Sequence, residues 1–175
     1  WGVYAMMGVD AADFWAQYDH MYIPELGHNV SVTDYAHTLY IRASWTEFNP
    51  QEDVYGWKID SNLRAYIEGA YQRNMRLAFR VVVDSRDKRT EFTPQFVKDA
   101  GAKGFMNKGK WSPYSDDPVF QKYYTKFVKA LAKDFNDPSK VEFIDGFGLG
   151  KWGEYHTMIY STGDDTPKKA VFDWV

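Results

Sequence analysis

The residues whose types and spacing suggest chemistry lie in the stretch VEFIDGFGLGKWGEYH, residues 141–156. A short apolar run there leads into a segment with four glycines, which lets the chain bend sharply beside a ligand. Trp152, Glu154 and His156 lie on this segment. Because α/β enzymes carry catalytic groups on loops that follow strands, Glu154 is the candidate catalytic residue. The alternative is a loop glutamate that is only solvated.

The elements that must position these residues follow from the hydrophobic pattern. Short apolar and β-branched runs predict four strands, near residues 3, 38, 77 and 141, and the last of them is expected to be buried. Spacings of three and four between apolar residues, together with capping signals, predict the helices. The predicted helices cover residues 13–21, 59–75, 94–99, 118–135 and 166–175. Asp116 or Asp117 is expected to cap the longest of them, with Pro118 in its first turn.

Strands that alternate with helices predict a parallel sheet with right-handed crossovers. Four βα units are half of an eight-stranded barrel. We therefore expect residues 1–175 to be the N-terminal half of a single (β/α)8 TIM-barrel catalytic domain, with a complete small open-sheet fold as the alternative. The segment 84–116 is expected to be a long functional loop after the third strand. Trp111 and Tyr114 are available to a ligand there, or else they pack beneath an ordered surface excursion.

Two arginines interrupt strands that are otherwise apolar, Arg42 in TLYIRASW and Arg80 in LAFRVVV. A guanidinium is costly to bury unless a carboxylate pairs with it. We expect both in the barrel interior or on the floor of a site, where a fixed positive charge would hold a carboxylate ionised. Ion pairs with a purely structural role are the alternative, and Arg42 can also point to the outside of the barrel.

Composition argues against several kinds of partner and site. A net charge of −3 gives no broad basic field, which disfavours nucleic acid and anionic membranes. No apolar run approaches the roughly 20 residues of a membrane-spanning helix. The chain has no cysteine, phosphate-binding loop or metal-ligand triad, so we expect no cofactor and no metal. Because the sequence starts at Trp1, we expect a processed chain or a piece of a longer one.

Aromatic residues make up 18% of the chain, with 7 Trp and 13 Tyr. Aromatic rings stack on the apolar faces of sugars, while the Trp N–H and the Tyr hydroxyl stay available for hydrogen bonds. Alternatively, the aromatic side chains only fill a core that is built from large residues. The aromatic content therefore suits a carbohydrate ligand without requiring one.

Three segments are similar to known barrel proteins. The segment YIRASWTEFNPQEDVYGWKID, residues 40–60, resembles the second βα loop of clan A glycoside hydrolases, especially the family 42 β-galactosidases. Their pattern there is an arginine-bearing strand, a tryptophan, an E-P-type turn and then G-x-Y-x-W. The segments DDPVFQKYYTKFVKALAKDF and VEFIDGFGLGKWGEYH are similar to their counterparts in a less characterised group of barrel proteins allied to that family.

This resemblance covers most of residues 1–160 and implies a (β/α)8 barrel that hydrolyses glycosidic bonds with retention. It implies an acid/base glutamate at the end of the fourth strand and a nucleophile glutamate at the end of the seventh. Glu154 falls at the fourth-strand position, and the nucleophile lies outside this segment. In clan A an asparagine that contacts the sugar 2-hydroxyl typically precedes the acid/base residue, whereas Gly153 stands here.

The predicted function is therefore a retaining O-glycosyl hydrolase that cleaves an oligo- or polysaccharide, with Glu154 as the general acid/base. Burial beside Trp152 and Tyr155 is expected to keep Glu154 partly protonated. A non-catalytic carbohydrate-binding barrel with the same aromatics and arginines is the alternative, and barrels also host other chemistries. A polysaccharide substrate would favour a periplasmic or extracellular location.

Further residues are predicted to bind the substrate. They are Asp10, Arg42, Trp45, Arg80, Trp152 and His156. Asp10, Trp45 and Trp152 are chosen because they follow strand ends. His156 is expected to donate to a sugar hydroxyl or to Glu154, and a loop histidine bonded to the backbone is its alternative.

Overall fold

The computed structural model describes residues 2–5, 8–84, 90–107, 109–145, 148–150, 152–154 and 168–174. The chain divides into two compact units. Unit 1 comprises Trp1–Arg42, Trp57–Phe79 and Asp137–Ile144. Unit 2 comprises Ala43–Gly56, Arg80–Asn136 and Asp145–Val175.

In the described residues, helices separate the four strands of a parallel sheet along the chain. The strands are β1 (Gly2–Ala5), β2 (Met21–Ile23), β3 (His28–Val30), β4 (Thr38–Ser44), β5 (Arg76–Val82), β6 (Gly104–Asn107), β7 (Lys110–Pro113) and β8 (Val141–Ile144). The α-helices are α1 (Ala11–Asp19), α2 (Trp45–Phe48), α3 (Gly56–Ile59), α4 (Ser61–Gln72), α5 (Gln95–Asp99), α6 (Pro118–Phe135) and α7 (Lys168–Trp174). Strands β1, β4, β5 and β8 form a parallel sheet in that order. The predicted α/β class and its four parallel strands are confirmed.

The best-defined helix is α6, and its boundaries follow from local sequence. The Asp117 carboxylate accepts the backbone N–H of Phe120 at 2.8 Å, and Pro118 lies in the first turn. These features satisfy an unpaired donor and fix the backbone for helix entry. Phe120, Phe127 and Leu131 are all buried, so the predicted apolar stripe and the predicted cap are both confirmed.

The helix predicted over 59–75 is shorter than expected and is preceded by a separate turn. Asp60 has extended backbone angles and caps α4, where it accepts the N–H of Leu63 at 2.7 Å. Because a capping residue cannot continue the preceding helix, α3 ends at Ile59. The side chain of Ile59, the first residue of the predicted helix, is 60% exposed.

The expectation that the fourth strand is buried is wrong for part of β8. Val141 is buried, but Phe143 is 48% exposed and Ile144 is also exposed. The reason is that Phe143 lies beside Tyr40 and Tyr4 on one face of the sheet, and the rings of Phe143 and Tyr4 are open to solvent there. Composition alone does not show whether a strand is covered on both faces.

The segment 84–116 contains more regular structure than predicted. Helix α5 matches the expected short helix, but an antiparallel hairpin of β6 and β7 was not expected. Trp111 on β7 is buried, and the Lys98 ammonium lies 5.6 Å from its ring centroid. Trp111 therefore packs beneath an ordered excursion and is not displayed to a ligand.

Helices α1 and α4 pack together in unit 1, next to an ion pair at their ends. The Arg73 Nε donates to Asp19 Oδ1 at 2.7 Å, and the Arg73 guanidinium lies 4.3 Å from the Trp15 ring centroid. The hydrogen bond from Arg73 holds the pKa of Asp19 below its usual range. This cluster has a structural role, because it fixes one helix against the other.

Candidate functional site

The candidate site is built around Arg80, which binds two carboxylates in unit 2. The Arg80 Nε donates to Asp145 Oδ2 at 2.5 Å, and the Arg80 Nη1 donates to Glu154 Oε1 at 3.1 Å. The arginine and Asp145 are about one-fifth exposed, and the Glu154 side chain is 34% exposed. Solvent therefore reaches all three charged groups.

The parallel sheet explains why these residues lie close together. Arg80 is near the carboxyl end of β5, and Asp145 directly follows β8, the strand that pairs with β5. The carboxyl ends of parallel strands meet at one edge of the sheet, which is where α/β folds place ligands. The cluster therefore occupies the edge at which function is expected.

Glu154 is carried by a tight turn with unusual backbone angles. Gly150 and Gly153 have φ of 73° and 67°, and the Gly153 N–H donates to the Gly150 carbonyl at 3.1 Å. Trp152 also has a positive φ, 61°, and its side chain is 37% exposed. The left-handed region costs a non-glycine residue about 1–2 kcal/mol. Such strain is often found at functional sites.

This turn is anchored to the continuation of β5. The Val83 N–H donates to the Gly148 carbonyl at 3.0 Å, and Leu149 is buried. A Cβ at Gly148 would overlap the Tyr124 hydroxyl and the Val81 carbonyl oxygen, so only glycine fits there. The segment that leads to Trp152 and Glu154 is thus held close to the strand.

The environment of Glu154 differs from the one expected from sequence. Glu154 was expected to be a buried acid, but its side chain is one-third exposed and forms an ion pair with Arg80. The arrangement therefore places two carboxyl groups, those of Asp145 and Glu154, on one guanidinium.

The other predicted site residues lie in different places. Asp10, in unit 1, caps α1 by accepting the Ala12 N–H at 2.8 Å. Arg42 is a part-exposed residue of β4, also in unit 1. His156 lies outside the described residues. Of the predicted residues, the structure brings Arg80 and Glu154 into contact, with Trp152 on the same turn as Glu154.

Trp45 is a core residue of unit 2. Its side chain is completely buried, and its ring lies edge-on to Phe120 and Tyr124 at centroid distances of 6.0 and 5.1 Å. Burial raises the pKa of the Tyr124 hydroxyl in the same cluster. This position is inside the packed core and not on a surface that a sugar can reach.

Two aspartates of the region were not among the predicted site residues. Asp145 binds Arg80, and Asp84 is a buried carboxyl two residues beyond β5. Each directly follows an apolar strand in the sequence, the same signal that pointed to Asp10. A search for carboxylates at every strand end would have found both.

Comparisons with known proteins assign this chain to no family. Neither a protein-family model nor a curated protein sequence matches the chain. Across the described part of the chain, no group of three or more His, Asp and Glu side chains is arranged to hold a metal ion. None of the described helices is long and apolar enough to cross a membrane.

Proposed function

We propose that the protein is a glycoside hydrolase with a (β/α)8 barrel, that this chain supplies its first four βα units, and that Glu154 is its general acid/base. The observation that carries the proposal is the pairing of Glu154 and Asp145 on Arg80 at the carboxyl edge of a parallel sheet. The exposed, strained Trp152 on the same turn supplies an aromatic face beside the carboxylate. Aromatic faces next to carboxylates suit a sugar ring.

The barrel part of the proposal is supported by an exposed apolar face in unit 1. Tyr4, Tyr40 and Phe143 form a row of ring contacts, with centroids 5.9 and 6.0 Å apart, and they line one hollow together with Ala78 of β5. Tyr4 is 43% and Phe143 48% exposed. Parallel sheets normally have both faces covered. Further strands that close a barrel would cover these rings and would pair with the β8 edge.

The proposed reaction assigns a separate task to each group. Protonated Glu154 gives its proton to the departing glycosidic oxygen as the bond to the anomeric carbon breaks. A second carboxylate, from a later strand outside this segment, attacks the anomeric carbon, and Glu154 then takes a proton from the water that releases the sugar. Arg80, held by Asp145, fixes the position of Glu154 between turnovers.

The proposal is tested with a panel of neutral oligo- and polysaccharides and the full-length protein. Release of reducing ends is measured for the wild type, for Glu154→Gln and for the control Glu68→Gln, which changes an exposed glutamate of α4. Hydrolysis by the wild type and the control but not by Glu154→Gln supports the proposal. Hydrolysis that survives in folded Glu154→Gln removes Glu154 from the mechanism.

The second candidate, a carbohydrate-binding barrel without catalysis, is favoured by the ion pair that joins Glu154 to Arg80. Titration calorimetry with the same panel distinguishes the two functions. A binding protein shows heat of binding without release of reducing ends, whereas an enzyme shows both.

A further inference from the structure

Asp84 is a buried carboxyl that the proposed reaction does not use. It lies just beyond the carboxyl end of β5, and only 4% of the residue is exposed. Burying a carboxyl group costs roughly several kcal/mol unless polar partners form hydrogen bonds with it. Such a residue at the functional edge of a sheet therefore requires a specific reason.

The surroundings of Asp84 connect it to the turn that carries Glu154. Asp84 Oδ1 accepts the Ser112 hydroxyl at 3.2 Å, and Ser112 on β7 is itself buried. Asp84 and Ser112 line a small cavity together with Leu149 and Gly150. The carboxyl thus lies between the β6–β7 hairpin and the start of the turn.

The same turn depends on this contact region for its position. The neighbour of Asp84, Val83, donates its N–H to the Gly148 carbonyl at 3.0 Å, and Gly150 closes the turn by accepting from Gly153. Asp84 is thus next in sequence to one anchor of the turn, and it lines the same cavity as Gly150.

We propose that Asp84 is a positioning residue, which fixes the turn of Trp152 and Glu154 against β5 through Ser112 and the shared cavity. The catalytic meaning of this inference rests on the proposed function, but the placement itself is measurable without a substrate. The competing explanation is that Asp84 only stabilises the hairpin, as an ordinary buried polar residue.

The experiment follows the indole N–H of Trp152 in the 1H–15N spectrum of the full-length protein, with the signal assigned from Trp152→Phe. Asp84→Asn keeps the size of the side chain but replaces the carboxyl group with an amide. Asn49→Ala is the control, because it deletes another buried polar side chain of unit 2, which bonds to the carbonyls of Gln51 and Val54. Thermal unfolding is recorded for each variant.

We expect Asp84→Asn to shift the Trp152 signal, and Asn49→Ala to lower the melting temperature while leaving that signal in place. An unchanged Trp152 signal in folded Asp84→Asn overturns the inference. If Asp84→Asn does not fold, the same measurement is made on Ser112→Ala, which removes the hydroxyl that Asp84 accepts and keeps the carboxyl group. If the glycan assay detects hydrolysis, Asp84→Asn lowers kcat and leaves KM unchanged. A protein that neither binds nor cleaves glycans refutes the function but not the placement.

Discussion

Replacing Arg80 with methionine tests the energetics of the candidate site. Methionine matches the aliphatic stem of arginine but lacks the guanidinium, so Arg80→Met removes the cation that Asp145 and Glu154 share. Hydrogen bonds to charged groups contribute about 1.5–3 kcal/mol each when they are shielded, and exposed ion pairs about 0.2–1 kcal/mol. With side chains from about one-fifth to one-third exposed, we expect a combined loss of about 2 kcal/mol.

The assay is urea unfolding followed by circular dichroism, with a matched control on the surface. Arg64→Met breaks an ion pair with Glu68 in which the side chains are 51% and 60% exposed and 3.5 Å apart. That variant is expected to lose less than about 0.5 kcal/mol. Arg80→Lys should lie between the wild type and Arg80→Met, because lysine keeps the charge but not the two-sided geometry.

Two results would refute this reasoning. Equal losses in Arg80→Met and Arg64→Met would mean that the two carboxylate contacts of Arg80 are no stronger than a surface ion pair. A stable Arg80→Met variant, equal to the wild type in unfolding free energy, would mean that the cluster does not exist in solution as described.

The structure makes three further predictions. Trp45→Phe should lower stability by about 1–3 kcal/mol through a core cavity, as measured by thermal unfolding, while glycan affinity is unchanged; a loss of affinity in the folded variant would contradict its core position. Asp19→Asn should destabilise the protein by about 1 kcal/mol at neutral pH. Because the hydrogen bond from Arg73 lowers the pKa of Asp19, the difference in unfolding free energy between wild type and Asp19→Asn should shrink as pH falls below about 4. Urea unfolding at several pH values measures this difference, and a difference that grows in acid would contradict the prediction. Gly148→Ala should cost about 1–3 kcal/mol by overpacking against the Val81 carbonyl, and a neutral effect on unfolding would exclude that contact.

Local signals explain how much of the fold the sequence predicts. The four parallel strands and the cap of α6 at Asp117 depend on neighbouring residues, and they were predicted. The β6–β7 hairpin was missed because its strands mix glycine, lysine and aromatics and have no regular alternation. The exposure of Phe143 was missed because it depends on what covers that face of the sheet, a tertiary property.

The candidate site is predictable only in part for the same reason. The cost of burying a guanidinium requires a carboxylate near Arg80, and the structure supplies two. Sequence spacing does not show that Asp145 is one of them, since 65 residues separate it from Arg80. Trp45 and Trp152 both follow strands in the sequence, yet one is buried and the other exposed, because the chain enters a helix after β4 and a glycine-rich turn after β8.

The role of Glu154 is tested most directly by the leaving-group dependence of hydrolysis. The values of kcat/KM are compared between the wild type and Glu154→Gln for aryl glycosides with good and with poor leaving groups. A general acid matters only when the departing oxygen needs a proton, so we expect a loss of about 10²–10⁴-fold with poor leaving groups and a much smaller loss with good ones. Near-normal turnover of the poor leaving-group substrates by folded Glu154→Gln would contradict the assignment.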